Sequence, residues 1–385
     1  MTPSTLRTLS SLALVLTAAC SGGDGTSEPD ELVSEQGATP GASKDGDQRG
    51  EGTFEQTGGG GGVGTGPSTG GCVSSPANME IPGNGCDDNG NGETDEAITA
   101  CDDGAAGGGA DAYASALGLC QRASSDAWGL VSASFSRGAG SGVAPGFGKV
   151  LKSREGSKLG ILQTTGGASG SISTCSIDQP NCGKTANGLD VVELDLELKV
   201  PANAKGIAID YNFFSSEWPM FVGSKFNDGF VIRVTGKKGA GNIAFDAKGG
   251  AVDVNNGFFD RCTPGVYLGC RTPNKPPKVS VCAGGAAELA GTPFATTDSL
   301  YDSPSLATQD PSMSCFGLPQ HKSSAGATGW LSSQTPVEPG ETIYVNIAIW
   351  NAADHNYASL ALIDNFRWIA GETTATTTTR PPVIN

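Results

Sequence analysis

Residues 191–200 read VVELDLELKV. Val192, Leu194, Leu196, Leu198 and Val200 alternate there with Glu193, Asp195, Glu197 and Lys199. Successive side chains of a strand point to opposite faces, so this period of two gives one apolar and one polar face. That pattern suits a half-buried strand of an antiparallel sheet. GIAIDYNFF repeats it through Ile207, Ile209, Tyr211 and Phe213. FVIRV, KVSVC, TIYVNIAIW and ASLALIDNFRW follow, separated by clusters of Gly, Pro and Asn. Many short strands with one polar face predict an all-β fold, an antiparallel β-sandwich or jelly roll. One stretch departs from this: DAYASALGLCQ sets Ala114, Leu117, Leu119 and Cys120 near helical spacing, which predicts one short helix.

The flanks carry no such periodicity. Residues 20–71 are rich in Gly, Ser, Thr, Asp, Glu and Pro, and end in TGGGGGVGTGPSTGG. A segment of that kind buries too little apolar surface to offset its ordering entropy, so it is expected to be a flexible tether. Its glycines, part of 58 in the chain, dilute the apolar fraction to 37%. The tail over 373–385, TTATTTTRPPVIN, has no apolar face and is expected to be disordered. Between the flanks lie a Cys- and Asp-rich segment, 72–105, and the predicted sandwich, 106–372.

The N-terminus supplies an address. One Arg precedes an apolar run from Leu12 to Ala19, which is too short to span a bilayer and reads as a signal peptide over 1–19. Ala18 and Ala19 directly before Cys20 resemble a bacterial lipobox, although Thr17 stands where Leu is usual and Leu16 lies one residue further back. The resemblance implies lipidation of Cys20, attachment to a membrane through that lipid, and export. Ser21 after the Cys implies sorting to the outer membrane, facing either the cell surface or the periplasm.

Net charge is −16, which argues against nucleic acid as a partner, because such affinity comes from Lys and Arg on phosphates. The same charge favours divalent cations. Beyond Cys20 there are ten cysteines, at 72, 86, 101, 120, 175, 182, 262, 270, 282 and 315. An even number in an exported chain reads as a disulfide set. Cys175 with Cys182, and Cys262 with Cys270, are close neighbours that could pair. Zinc is disfavoured by the lack of any C-x-x-C spacing and by only two histidines, His321 and His355.

GNGCDDNGNGETDEAITACDD, residues 83–103, carries the clearest binding pattern. With Asp87 as position 1, Asn89 is 3, Asn91 is 5, Gly92 is 6, Glu93 is 7 and Asp95 is 9. This matches the first nine positions of an EF-hand calcium loop, D-x-N-x-N-G-x-x-D. Alternate side chains of a tight loop point to one centre, Gly92 permits the turn, and position 7 offers a backbone carbonyl. Hard oxygen ligands select Ca²⁺ over softer-ligand metals. Position 12 is Ile98 rather than a bidentate Glu, and Glu96 or Asp102 could complete the shell. The segment resembles the acidic D-x-D-x-D-G-x-x-D repeats of thrombospondin type 3-like and bacterial surface proteins. The competing reading is a solvated acidic turn pinned by cysteines.

Two further blocks resemble the choice-of-anchor L family. YNFFSSEWPMFVGSKFNDGFVIRV (211–234) matches its first motif through Phe213, Ser216, Glu217, Trp218, Phe226, Asn227, Asp228 and Phe230. VEPGETIYVNIAIWNAADHNYASLALIDNFRW (337–368) matches its closing motif through Asp354, Ser359, Leu362, Ile363, Asp364, Asn365 and Phe366. The likeness spans roughly 105–370 and implies a β-rich extracellular domain carried on a surface anchor. Asn351 and Ala358 stand where the family often has Asp. Glu217, Asn227, Asp228, Asp354 and Asp364 could converge as oxygen ligands of a second cation, or could cap turns. Trp218, Trp350 and Trp368 read as core or sheet-edge aromatics, with sugar stacking as the alternative.

No nucleophile-elbow motif is present, and His355 beside Asp354 marks no triad. No catalytic residue is assigned, and the chain is expected not to be an enzyme. Three functions remain: a calcium-stabilised module for adhesion or matrix interaction with an extracellular protein or glycan, a carbohydrate-binding module, or a secreted hydrolase.

Overall fold

The computed structural model describes residues 72–97, 99–164, 166–266, 268–269, 278–295 and 325–381. The chain enters through a short helix, α1 (Ala110–Ala116), followed by β1 (Gly129–Arg137), β2 (Gly142–Ala144), β3 (Gly146–Phe147), β4 (Leu151–Lys152) and β5 (Leu159–Gln163). Then come β6 (Ala168–Ser173), β7 (Thr185–Lys199), β8 (Gly206–Ser215), β9 (Gly229–Gly236), β10 (Gly239–Asn242) and β11 (Val252–Asp253). β12 (Gly326–Pro336), β13 (Thr342–Ala352), β14 (Ser359–Ile369) and β15 (Thr376–Thr379) complete the series among the described residues.

Two antiparallel sheets form a sandwich. The first has the order β1-β7-β13-β9-β10, with β6 added to β7 and β11 to β9. The second has the order β15-β12-β8-β14-β5-β2, and β3 with β4 makes a separate ribbon. The alternating run at 191–200 lies in β7 and the strand's immediate exit. Leu194, Leu196 and Leu198 face inward from it, against Ile207, Ile209, Tyr211 and Phe213 of β8. Tyr211 and Phe230 meet across the two sheets with ring centroids 4.8 Å apart. Each such side chain, taken out of water, contributes about 1.5–3 kcal/mol of transfer free energy.

The helix falls where the apolar spacing changes. It buries Tyr113, Ala114 and Ala116 against the sandwich. Gly118 ends it with φ +80°, a conformation that costs glycine little.

Several expectations change at this level. The polar face of β7 is not uniformly wet. Glu193 is buried, and its carboxylate takes Arg137 at 2.8 Å and Arg233 at 2.7 Å. β8 is buried on both faces, so Asp210 and Asn212 lie inside despite their alternating positions. Residues 72–105 are packed on the sandwich: Trp128 donates its indole N–H to the Asn78 carbonyl at 2.7 Å, and Asn203 bonds both backbone groups of Met79. All described residues fall within one compact unit bounded by Ser68 and Asn385.

The Thr-rich tail departs from the expected disorder over its described part. β15 pairs antiparallel with β12, from Leu331 opposite Thr379 to Gln334 opposite Thr376. The edge of β12 offers unpaired backbone groups, and β-branched Thr suits a pleated partner.

Four disulfides are present among the described residues: Cys72–Cys86, Cys101–Cys120, Cys175–Cys182 and Cys262–Cys282. The pairing of Cys262 with Cys270 is thus corrected. Sequence proximity favoured it, but Cys282 is the cysteine whose Cα lies 5.3 Å from that of Cys262. Cys270, Cys315 and His321 lie outside the described residues, as do Cys20 and the segments expected to be a signal peptide and a tether.

Candidate cation sites

The acidic loop is built from short side chains that fold back onto its own backbone. Asp87 Oδ1 accepts the Gly90 and Asn91 amides at 2.7 and 3.1 Å, and Oδ2 accepts Gly92 at 3.0 Å. Asn89 Oδ1 accepts Asn91 N–H at 2.9 Å, and Asn91 Oδ1 accepts Glu93 N–H at 2.8 Å. Such local bonds are what Asp and Asn offer a turn. Gly90 and Gly92 take φ of +77° and +93°, so both glycines permit the reversal. Cys72–Cys86 ties the start of the loop to the preceding segment.

Glu96 is the point where these side chains meet. Its Oε1 accepts the Asn89 and Asn91 carboxamide N–H groups at 2.5 and 2.6 Å, while its Oε2 is buried with no partner. Asp95 takes a different role: its carboxylate accepts the Asn84 and Gly85 amides at 2.9–3.1 Å, closing the turn before the loop. Glu93 is exposed and reaches the network through its backbone N–H. Asp102 does not join the loop, because its Oδ2 accepts the amides of Ser157 and Lys158 at 2.7 and 2.6 Å.

Glu80 escaped the sequence pattern. It is buried beneath the loop, with Oε2 accepting the Asp88 and Asn89 amides and Oε1 accepting Asp95 N–H at 3.0 Å. It stands seven residues before Asp87, and only the folded path of the chain brings it there.

The second residue set separates into three places. Glu217 and Asp228 come together at one end of the inter-sheet space, each fully buried. Asp228 Oδ1 accepts Ala352 N–H at 2.8 Å, and its Oδ2 accepts the Ser359 hydroxyl at 2.7 Å. Glu217 Oε2 accepts Asp228 N–H at 3.3 Å, while Oε1 has no partner. Burial pushes both carboxyls above their ordinary range, and for Glu217 the charge of Asp228 adds to it. Asp354 lies in the covering loop, where its charge raises both further, and its Oδ1 caps Asn356 N–H at 2.8 Å.

Asn227 and Asp364 belong elsewhere. Asn227 Oδ1 accepts Asn255 N–H at 2.9 Å. Asp364 sits opposite Asp210, whereas Ser359, beside Asp228, sits opposite Ser215. At roughly 3.3 Å per residue, about 17 Å of strand separates the two positions. Asp364 Oδ2 accepts Arg154 N–H at 2.6 Å. Its neighbour Asp210 takes the Arg154 and Arg367 guanidinium groups at 2.7 and 2.8 Å. Burial pushes Asp364 up to about 8, opposed by the amides of Arg154 and Asn365 and reinforced by the charges of Glu155 and Asp210. Burial alone would also raise Asp210, but the hydrogen bond and charge of Arg367 hold it below its usual range.

The remaining sequence candidates are mostly inside. Trp218 and Trp350 are buried, and Trp368 is half-buried edge-on to Trp128 and Phe366. His355 Nδ1 lies 2.8 Å from Asp190 Oδ2. A surface hollow of about 270 Å³ lies on the outer face of β1, β7 and β13, lined by Ser132, Ser134, Asp195, Glu197, Tyr344 and Asn346 among others. Among the described residues no three His, Cys, Asp or Glu side chains form a metal set by themselves. Any cation held here therefore needs asparagine or backbone oxygens as well.

Compared with protein-family models, with curated proteins and with solved structures, the chain finds no match.

Proposed function

We propose that this chain is an exported, lipid-anchored β-sandwich of the choice-of-anchor L kind, which binds calcium at its acidic loop and acts non-enzymatically in adhesion or surface and matrix interaction. The lipid on Cys20 would tie it to the outer membrane, and the 20–71 segment would hold it off the surface. The four disulfides accord with an oxidising compartment.

The observation that supports calcium most directly is the meeting of Asn89, Asn91 and Glu96, with one buried Glu96 oxygen left over. Two neutral carboxamide N–H groups hydrogen-bond one oxygen of that carboxylate without cancelling its charge. The Asn Oδ1 atoms each accept one amide and keep a further lone pair. Asp87, Asn89, Asn91, the Glu93 carbonyl and Glu96 would hold the ion, with Asp95 and Glu80 fixing the loop. The ion would supply positive charge that cross-links loop segments.

Calorimetry and melting of the full-length protein, with calcium chloride and with chelator, test this reading. Saturable binding at about 10⁻⁴–10⁻³ M is expected, the range of extracellular modules. It should weaken at least tenfold in Asp87→Asn/Glu96→Gln, which preserves side-chain shape. Absence of any loop-dependent binding at millimolar calcium would leave a disulfide-pinned acidic turn.

One observation favours carbohydrate as the extracellular partner. Tyr344 is 55% exposed beside the surface hollow, and its hydroxyl donates to Glu197 Oε1 at 3.2 Å. An aromatic face flanked by hydroxyls and carboxylates is a sugar-stacking arrangement. A glycan array read with Tyr344→Ala checks it, and binding unchanged in that variant would reject the hollow.

A further inference from the structure

We infer that the closed end of the sandwich is a second, inter-sheet cation site, in which Glu217, Asp228 and Asn351 present oxygen ligands to a hard divalent ion of the calcium class. The inference is independent of the acidic loop.

The placement follows from strand register. β13 pairs with β9 as Ile349 opposite Phe230 and Trp350 opposite Gly229. Continued one step past the end of that ladder, the register would set Asn351 opposite Asp228. Ile349 and Phe230 both face the core between the sheets, whereas Trp350 packs on the outer side with Val191 and Val231. Alternation therefore returns Asn351 and Asp228 to the inner face, with Cβ atoms of such opposed pairs about 4.5–5.5 Å apart. Glu217 arrives from the exit of β8 in the facing sheet and accepts the Asp228 amide. Ser359 opens β14 beside it and donates to Asp228.

The chemistry at this end is an excess of acceptors. Asn351 is 1% exposed; its Nδ2 donates to Asp190 Oδ2 at 3.0 Å, but its Oδ1 has no partner. Asp190 lies on β7, on one side of β13, and Asp228 adjoins β9 on the other. A carboxamide splays its N and O apart, so with its nitrogen held by Asp190 the oxygen of Asn351 would be left for the Asp228 side. Glu217 Oε1 is likewise fully buried without a donor. Among the described residues neither Glu217 nor Asp228 is ion-paired to a lysine or arginine. Buried carboxylates without counter-charge are costly.

A proton shared by the two carboxyls would relieve their repulsion but would leave the Asn351 oxygen unsatisfied. A hard cation, which takes 6–8 oxygens, satisfies all three groups at once with water completing the shell. Both Asp228 oxygens, each accepting one hydrogen bond, retain lone pairs for it. Asp354, in the half-exposed 353–358 loop, adds negative charge near this end.

The test is calcium titration calorimetry on the full-length protein and on the loop variant Asp87→Asn/Glu96→Gln, each with and without Glu217→Gln. The loop variant should keep one binding event, and Glu217→Gln should abolish it. A folded loop variant, judged by its melting transition, that binds no calcium would overturn the inference, whatever becomes of Glu217→Gln. If the loop variant and wild type bind alike and Glu217→Gln removes everything, this site stands and the loop reading falls.

Discussion

At the residue scale, buried charge decides which substitutions matter. Asp210 is fully buried and holds two guanidinium groups, so truncating it strands them. Asp210→Ala is expected to cost about 3 kcal/mol, as for a broken buried pair, measured by urea denaturation. Asp364 sets a pH dependence. Its folded pKa is pushed up to about 8 from the ordinary 3.8 of an aspartate, so the folded state holds the proton more tightly than the unfolded chain. That contribution is complete below pH 3.8 and is lost as pH rises toward 8. Acting on it are the amides of Arg154 and Asn365 and the charges of Glu155 and Asp210. Asp364→Asn should flatten the fall of melting temperature across that window, and an unchanged slope would remove Asp364 as its source. Gly229 is a packing limit: a Cβ there would lie 2.4 Å from the Trp350 ring. Gly229→Ala should destabilise by about 1–3 kcal/mol through overpacking, read from the denaturation midpoint.

At the scale of elements, strands and the helix were the most legible features. Hydrophobic alternation marked β7, β8, β9, β13 and β14, and a change of spacing marked α1. The Thr-rich tail was misread because polar β-branched residues have no apolar period. What orders them is an edge to pair with, and β12 provides one. Thr377 also receives Phe245 N–H at 3.1 Å and donates to the Ile243 carbonyl at 3.1 Å, tying β15 to the first sheet. Deleting residues 373–385 should lower the melting temperature and expose the β12 edge, with concentration-dependent self-association by light scattering. A deletion variant that melts normally and stays monomeric would show β15 to be dispensable. The acidic loop depends on Cys72–Cys86 in the same local way. Cys72→Ser/Cys86→Ser should cost about 2–4 kcal/mol in the free energy of unfolding, measured by denaturant titration.

At the scale of the whole molecule, the sandwich brings together groups far apart in the chain and separates groups that look related. Asp228 meets the Ala352 amide and the Ser359 hydroxyl from more than 120 residues away, because β13 and β14 return to the same end. Asp364 is carried along β14 to a different environment of arginines. Calcium at both proposed sites would tie the N-terminal segment and the closed end separately. Removing it with chelator should therefore lower the melting temperature in two steps that the loop and Glu217 variants assign individually.

Alternation of apolar residues, the cysteine supply, the acidic loop and the paired motifs are local properties, so the order of residues alone determined the all-β class, the short helix and the candidate ligands. Which cysteine joins Cys262, why Glu80 underlies the loop, why Glu193 is buried between arginines, and which carboxylates share the closed end were decided by tertiary structure. Those outcomes rest on strand register and on which faces meet, quantities set by packing between segments distant in the chain.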